Sequence, residues 1–453
     1  MSQSSTLPQL NPQAAGVDIG AHSHFVAVPP GSDPDGRDVR EFDTFTADLY
    51  ALADWLSQCG VTTVAMESTG IYWIPLFQIL EERRFEVKLV DPRRMKHVPG
   101  RKTDVVDCQW IQQLHSFGLL DGAFRPSDDI VLLRGFLRQR AMLLRCGAQH
   151  IQHIHKALEQ MNLKLHLVVS NIVGVTGLRI IRTILAGERD PDKLAALRDR
   201  RCKNDVATIA RALHGHYRSD LLFSLRQAVE LFDIFQRKVA ECDAEIETLL
   251  ASFPDGSQGR TLPPARRKGS AYRNAPAFDA RAALFRISGV DLTRIEGIDT
   301  SIALTLISEI GLDMSRWPSE KHFASWLGLC PGSKISGGRV LSSRSKRCAN
   351  RAAAAFRLAA HGLHNAHSAL GAFLRRKKAQ LGAPKAITAT AHKIARLVYA
   401  LLRYGSDYVE VGEQEYERRY RARIVNNLER RARTFGFTLV RDPRPPSPSP
   451  LPT

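Results

Sequence analysis

A chain of 453 residues is too long for one ordinary hydrophobic core, and two or three domains are expected. With 44% hydrophobic and 24% charged residues it reads as globular, which excludes a fibrous or low-complexity protein. Lys and Arg number 64 against 46 Asp and Glu, and the resulting charge of +18 asks for a polyanionic partner such as nucleic acid. No apolar run is long enough to span a bilayer and no polybasic anchor stands out, so no membrane partner is expected. The cysteines at 59, 108, 146, 202, 242, 330 and 348 stand singly, without a Cys-x-x-Cys pair, which argues against a zinc ribbon or a disulfide scaffold. The polar start MSQSSTLPQLNPQAA lacks an apolar signal core, and a reducing cytoplasm is the expected compartment.

Residues 1–13 are expected to be disordered. Ala15–Ala21 then forms an apolar strand carrying Asp18, followed by strands over His24–Val28 and Val39–Phe45 in an antiparallel meander. Residues 46–59 have helical periodicity with Thr46 as N-cap. A buried-type strand, Val61–Glu67, closes on Ser68-Thr69-Gly70; a helix over 72–83, a strand over 85–90 and a helix over 103–118 follow. The order βββαβαβα mixes hairpins with crossovers and is that of the ribonuclease H-like fold.

On that order four acids take related places. Asp18 interrupts an apolar strand, where an unpaired carboxylate costs several kcal/mol. Glu67 ends the fourth strand, at the edge where α/β sites gather. Asp104 and Asp107, three apart at the start of the last helix, share one face and follow the basic pair Arg101-Lys102. Such a set suits hard divalent cations acting on a phosphodiester, with Arg101 and Lys102 as phosphate contacts.

Residues 128–253 read as almost continuous helix, and 221–250 can fold back on the first long helix as a coiled-coil arm or build a dimer interface. His150, His153 and His155 lack a second ligand cluster and read as surface or nucleic-acid-facing residues. Residues 254–283, rich in Pro, Gly, Ser and Arg, read as a flexible linker. Leu292–Ile307 resembles a helix-hairpin-helix with Asp299 in place of its second glycine, so a phosphate-binding hairpin and an ordinary packed hairpin both remain open. Then Lys334, Arg339, Arg344, Lys346, Arg347 and Arg351 follow one another with no acid between them, around Ser336-Gly-Gly. Uncompensated cations of this density fit a phosphate backbone, and the glycines leave the serine hydroxyl exposed.

The motifs Gly-Val-Asp18-Ile-Gly, Met-Glu67-Ser-Thr-Gly-Ile-Tyr-Trp, Pro-Gly-Arg-Lys-Thr-Asp104-Val-Val-Asp107 and Ala-Ser-Trp-Leu-Gly-Leu-Cys-Pro-Gly…Ser336-Gly-Gly-Arg together resemble the insertion sequence 110 family of transposases. The resemblance covers about residues 14–250 and 284–405. It implies a RuvC-like, ribonuclease H-fold catalytic domain over 14–127, a helical coiled-coil or dimerisation region over 128–253 and a mainly helical transposase domain with the serine loop over 284–405. A basic helical tail, 406–440, and a disordered Pro-rich end, 441–453, lie outside it. It further implies Mg2+ or Mn2+ on Asp18, Glu67, Asp104 and Asp107 and a nucleophilic Ser336. Implied partners are double-stranded donor and target DNA, a structured bridge RNA, and a homodimer that becomes a tetramer when two DNAs are paired, in a bacterial cytoplasm at the nucleoid. Two other readings compete. One is a metal-only, Holliday-junction-type nuclease in which Ser336 only binds phosphate; the other is a non-catalytic scaffold whose acids are structural.

Overall fold

Strand β1 (Ala14–Ile19) is buried along nearly its whole length because it lies in the middle of a five-stranded sheet of order β3-β2-β1-β4-β5. On one side it pairs antiparallel with β2 (Ser23–Ala27), which pairs antiparallel with β3 (Val39–Asp43). On the other it pairs parallel with β4 (Thr63–Glu67), itself parallel to β5 (Glu86–Val90). Helices α1 (Thr46–Gln58), α2 (Trp73–Glu82) and α3 (Asp104–Ser116) fill the connections and the end of the set. This computed structural model describes residues 8–91, 103–265, 274–345, 350–405 and 412–440, and it divides into two units at residue 125. The sheet and its helices are the first unit, and they form the ribonuclease H-like arrangement that the order of elements predicts.

The strands alternate between two unequal faces. Ala15, Val17, Ile19, Val64 and Met66 join α1 and α2 in one large apolar cluster. The opposite face carries small residues, Gly16 and Ala65, and a compact cluster of Ala65, Val90, Ile111 and Leu120 sits beneath α3. At the helix starts the side-chain chemistry differs in a detail. Thr103 caps α3 by accepting from Val106 N at 3.3 Å, whereas Phe45 occupies the cap position of α1 and Thr46 is its first helical residue.

Two stretches expected to be loose are tied down where they are described. Leu10 and Asn11 N–H groups both donate to Ser116 O at 2.9 Å, and Asn11 Nδ2 donates to His115 O at 2.8 Å. They satisfy carbonyls that the end of α3 would otherwise leave open. In the 254–283 stretch, Gly256 N donates to Arg286 O at 2.8 Å and Ala277 N to Asp243 Oδ2 at 3.1 Å. Composition registers the lack of periodicity there, but not these individual backbone bonds.

The second unit starts with a long helix, α4 (Asp128–Gln160), packed along α9 (Ser219–Ser252). The fold-back expected of the two helices is therefore made within the chain. Between them, α5 (Leu165–Val168), α6 (Val175–Leu185), α7 (Pro191–Ala196) and α8 (Val206–Ala212) share a core with both arms, including Ile154, Leu158, Ile180, Ile184, Leu225 and Phe232. Next come α10 (Ala280–Ser288), a single 3-10 turn, α11 (Thr300–Ile310) and α12 (Glu320–Trp326). A two-stranded hairpin, β6 (Lys334–Ser336) and β7 (Arg339–Ser342), leads to α13 (Arg351–His361), α14 (Ala369–Leu381), α15 (Ala383–Tyr404) and α16 (Gly412–Thr434). Trp317, edge-on to Phe323, and Tyr399, tilted against Phe323, centre this part, with Tyr399 OH donating to Trp317 O at 2.7 Å.

The hairpin around Gly297 is an ordinary packed one. Asp299 caps α11, accepting from Ile302 N at 2.7 Å, so its carboxylate holds the helix N-terminus that a phosphate would need. Gly297 is at φ 94°, and a Cβ there would lie 2.6 Å from Ala359 O, which explains the glycine by packing. Among the described residues no helix is long and apolar enough to cross a membrane.

The arm is locked by a buried ion pair. Arg140 Nε donates to Asp243 Oδ1 at 2.5 Å, and Arg140 Nη2 donates to Asn274 O at 3.0 Å. Removing one partner of such a pair strands the other charge. Asp243→Ala is expected to destabilise this unit by about 3–5 kcal/mol, read as a fall in the thermal midpoint of the full-length protein.

Candidate metal centre and serine hairpin

The acids meet because α3 can approach β1 closely. A Cβ built on Gly16 would stand 2.2 Å from Gln112 N and 2.4 Å from Cys108 O, both backbone atoms of α3. Only a residue without a side chain admits the helix there. Gln112 Nε2 then donates to Ala14 O at 3.2 Å and fixes the helix along the strand. Two residues beyond Gly16 on the same face, Asp18 meets the first turn of α3.

Carboxylate oxygens of Asp18, Asp104 and Asp107 lie within 4.8 Å of one another, with Asp18 and Asp107 half-buried and Asp104 exposed. Glu67 sits one position past the Val17–Met66 register pair, at the end of the neighbouring strand, but stands outside this group. Its Oε1 accepts from Thr69 Oγ1 at 2.5 Å, a local bond to the turn that follows β4. Three carboxylates this close offer a divalent cation a shared set of oxygen donors. The donor set is all oxygen. The neighbouring Cys108 thiol donates to Val105 O at 3.1 Å and is not part of the group. An all-oxygen donor set fits a hard divalent ion such as Mg2+ or Mn2+ better than zinc.

In the second unit, Ser336 and Arg339 face each other across the two-residue turn of the β6–β7 hairpin. Gly337 and Gly338 both have positive φ, 52° and 74°, as a type I′ turn requires. The hairpin is extended by a Pro331–Ser345 bridge, and Gly332 N donates to Arg344 O at 3.0 Å. Lys334, Ser336, Arg339 and Arg344 are all exposed, together with Ile335, Val340 and Leu341. Arg351 opens α13 a few residues later. Arg101, Lys102, Lys346 and Arg347 lie outside the described residues.

A ribonuclease H-like sheet with clustered aspartates, in one chain with a glycine-turn serine among cations, matches two family models. One, a transposase model of the DEDD IS110 type, covers residues 15–163. The other, the transposase IS116/IS110/IS902 family, covers residues 291–373, and together they span just over half of the chain. The chain belongs to the IS110 family of transposases. No curated protein matches it. As a transposase of an insertion sequence it is an enzyme that cuts and rejoins DNA, and DNA is its substrate. The DEDD type agrees with the use of a divalent metal by the aspartate group.

Sequence reasoning missed His115, which anchors the far end of the metal-site helix. This fully buried ring lies 2.8 Å from Thr63 Oγ1 through Nε2, and the Thr63 hydroxyl itself donates to Glu86 O at 3.0 Å. The hydroxyl proton is thus used, so Nε2 carries the ring proton and donates. Nδ1 has no hydrogen-bond partner among the described residues. Burial, and then the nearby Lys88 charge, lower the pKa of His115 from 6.5 to about 4. Only its place on the buried stripe of the helix signals this in the sequence.

Two outcomes follow for this transposase. Gly16→Ala is expected to cost about 1–3 kcal/mol and to depress metal-dependent DNA cleavage, because α3 and its two aspartates must move off β1. Gly135→Ala, in open space inside α4, is the control: it should raise stability by about 0.5–1 kcal/mol and leave cleavage unchanged. Between pH 6.5 and 4 the unfolded His115 holds a proton that the folded ring refuses. Stability of the first unit therefore falls as pH drops through that window, by about 3 kcal/mol in full. Hydrogen exchange of residues 104–116 across this range reads the slope, and His115→Gln should flatten it.

Proposed function

We propose that this transposase recombines donor and target DNA through a phosphoserine on Ser336, with Mg2+ or Mn2+ on Asp18, Glu67, Asp104 and Asp107, guided by a structured RNA that pairs with both DNAs. The observation that carries the reading is the two-glycine turn. It presents one exposed hydroxyl at the tip of a hairpin whose other polar side chains include Lys334, Arg339 and Arg344. A hydroxyl placed so serves poorly as a structural hydrogen bond and well as a nucleophile towards a phosphate that the cations have drawn in.

In this mechanism Ser336 Oγ attacks phosphorus, its bond to phosphorus replaces that of the 3′-oxygen, the serine proton passes in net to the freed 3′-hydroxyl, and the ester energy stays in the protein–DNA link, so rejoining needs no nucleotide. Arg339, opposite Ser336 in register, neutralises the phosphate oxygens as charge builds up. Asp18, Glu67, Asp104 and Asp107 would hold a divalent ion, which would supply positive charge for the departing oxygen. Lys334 and Arg344 hold the DNA backbone, and Arg101, Lys102, Lys346 and Arg347 extend that contact. RNA guidance is supported by a charge of +18 without an evident base-reading motif, since base pairing would supply the sequence specificity. Residues 14–127 act here as the RuvC-like catalytic domain, 128–253 as the dimerisation region and 284–405 as the serine-bearing domain, in a homodimer that doubles to a tetramer on paired DNAs.

The rival is a metal-only nuclease, for which the aspartate group suffices and Ser336 merely binds phosphate. Wild-type protein incubated with DNA and Mg2+ should yield an adduct that survives denaturation, and Ser336→Ala should reduce it to background. Metal-dependent nicking that persists in Ser336→Ala would move the assignment to hydrolysis by water.

A further inference from the structure

The candidate lies at the far end of the helical arm, in a part of the molecule with no role in the chemistry above. His155 and Glu159 are four residues apart on α4 and share one face. After the turn at 161–164, α5 brings back His166. The imidazole nitrogens of His155 and His166 and a carboxylate oxygen of Glu159 lie within 4.8 Å of one another, and all three side chains are half-buried. Neighbouring histidines are used otherwise: His150 stacks on Phe235 at 5.3 Å and meets His153 edge-on. The second ligand cluster that the sequence seemed to lack is thus supplied by Glu159 and His166.

We propose that His155, Glu159 and His166 form a binding site for a divalent ion of the zinc type, which fastens the end of α4 to α5. Two imidazoles and one carboxylate are a known zinc donor set, and imidazole selects zinc-like ions over Mg2+. The contacts within the group favour an ion over a simple ion pair. His166 Nδ1 is 2.9 Å from Glu159 Oε1, yet that oxygen accepts no hydrogen bond from the described residues, so the two atoms meet without the direction of a hydrogen bond. The 2.9 Å between these two atoms is close to the ligand–ligand spacing of about 3.3 Å that tetrahedral zinc with bonds near 2.05 Å imposes. The rings of His155 and His166 stand edge-to-face with centroids 4.7 Å apart, and side-chain rotation closes the remaining gap.

Lys164 is held away from the ligand oxygen. Its Nζ donates to Glu159 Oε2 at 2.6 Å, which leaves Oε1 for an ion and keeps the Glu159 carboxyl below its ordinary range. The turn is rigid. Met161, Leu163 and Leu165 are fully buried, Lys164 N donates to Ala212 O at 2.8 Å, and His216 N donates to Met161 O at 2.8 Å. Gly215 permits that last approach, because a Cβ there would lie 2.2 Å from Met161 O. A backbone fixed in this way presents His166 without an ordering cost at the moment of binding.

The test uses full-length protein stripped with chelator and titrated with Co2+, which absorbs strongly in tetrahedral nitrogen–oxygen sites and weakly in octahedral all-oxygen ones. About one strongly absorbing equivalent is expected, displaced by Zn2+ and retained in Asp107→Asn, whose change lies in the other cluster. Glu159→Gln and His166→Ala should each weaken Zn2+ binding by more than the roughly 10–100-fold that loss of an outer-shell partner costs. Lys164→Met removes a positive charge beside the ion and should tighten Zn2+ binding, an effect that misfolding does not imitate. Absence of the strong band in wild type overturns the site, as does its survival in Glu159→Gln and His166→Ala. So does a Lys164→Met protein whose Zn2+ affinity is unchanged or lower.

Discussion

The aspartate cluster of the first unit depends on one backbone approach, that of α3 to β1 at Gly16. An added methyl group would meet main-chain atoms, which cannot swing aside as a side chain would. The same approach sets the register in which Asp104 and Asp107 come down on Asp18. Apolar burial beneath α3 is modest, a cluster of Ala65, Val90, Ile111 and Leu120, so the helix is placed as much by directed bonds as by area. Gln112 to Ala14 O, His115 to Thr63, and Asn11 to His115 O distribute those bonds along its length.

The serine hairpin follows the opposite logic. Nothing is buried at its tip, and a two-stranded ribbon alone is marginal in water. What defines it is turn chemistry: two glycines at positive φ leave one permitted pairing, and that pairing sets Ser336 against Arg339. Rigidity in the acid cluster comes from packing, and specificity in the hairpin comes from dihedral angles.

This contrast explains what the sequence could reveal. The strands, their mixed pairing and the place of Asp18, Asp104 and Asp107 were legible because each follows from periodicity and position along an element. Glu67 was legible as a strand end, but its turn towards Thr69 was not, since a single hydroxyl two residues away decides it. The departure at Asp299 could be read as either a weak phosphate hairpin or a cap; a carboxylate 2.7 Å from Ile302 N makes it a cap. Residues 10–11, 256 and 274–277 looked loose because their bonds run from backbone to distant partners, to which composition is blind. Glu159 and His166 went unjoined for a related reason, as their meeting depends on a tight reversal of the chain at 161–164.

The bond between Asn11 and His115 spans 104 positions of sequence. Asp18 leaves the ribosome early and the two aspartates of α3 late, after every strand of the sheet has been made. A nascent chain that ends before residue 104 lacks two of the three clustered acids. The acid cluster is thus completed only by the last helix of the first unit, after all five strands have left the ribosome.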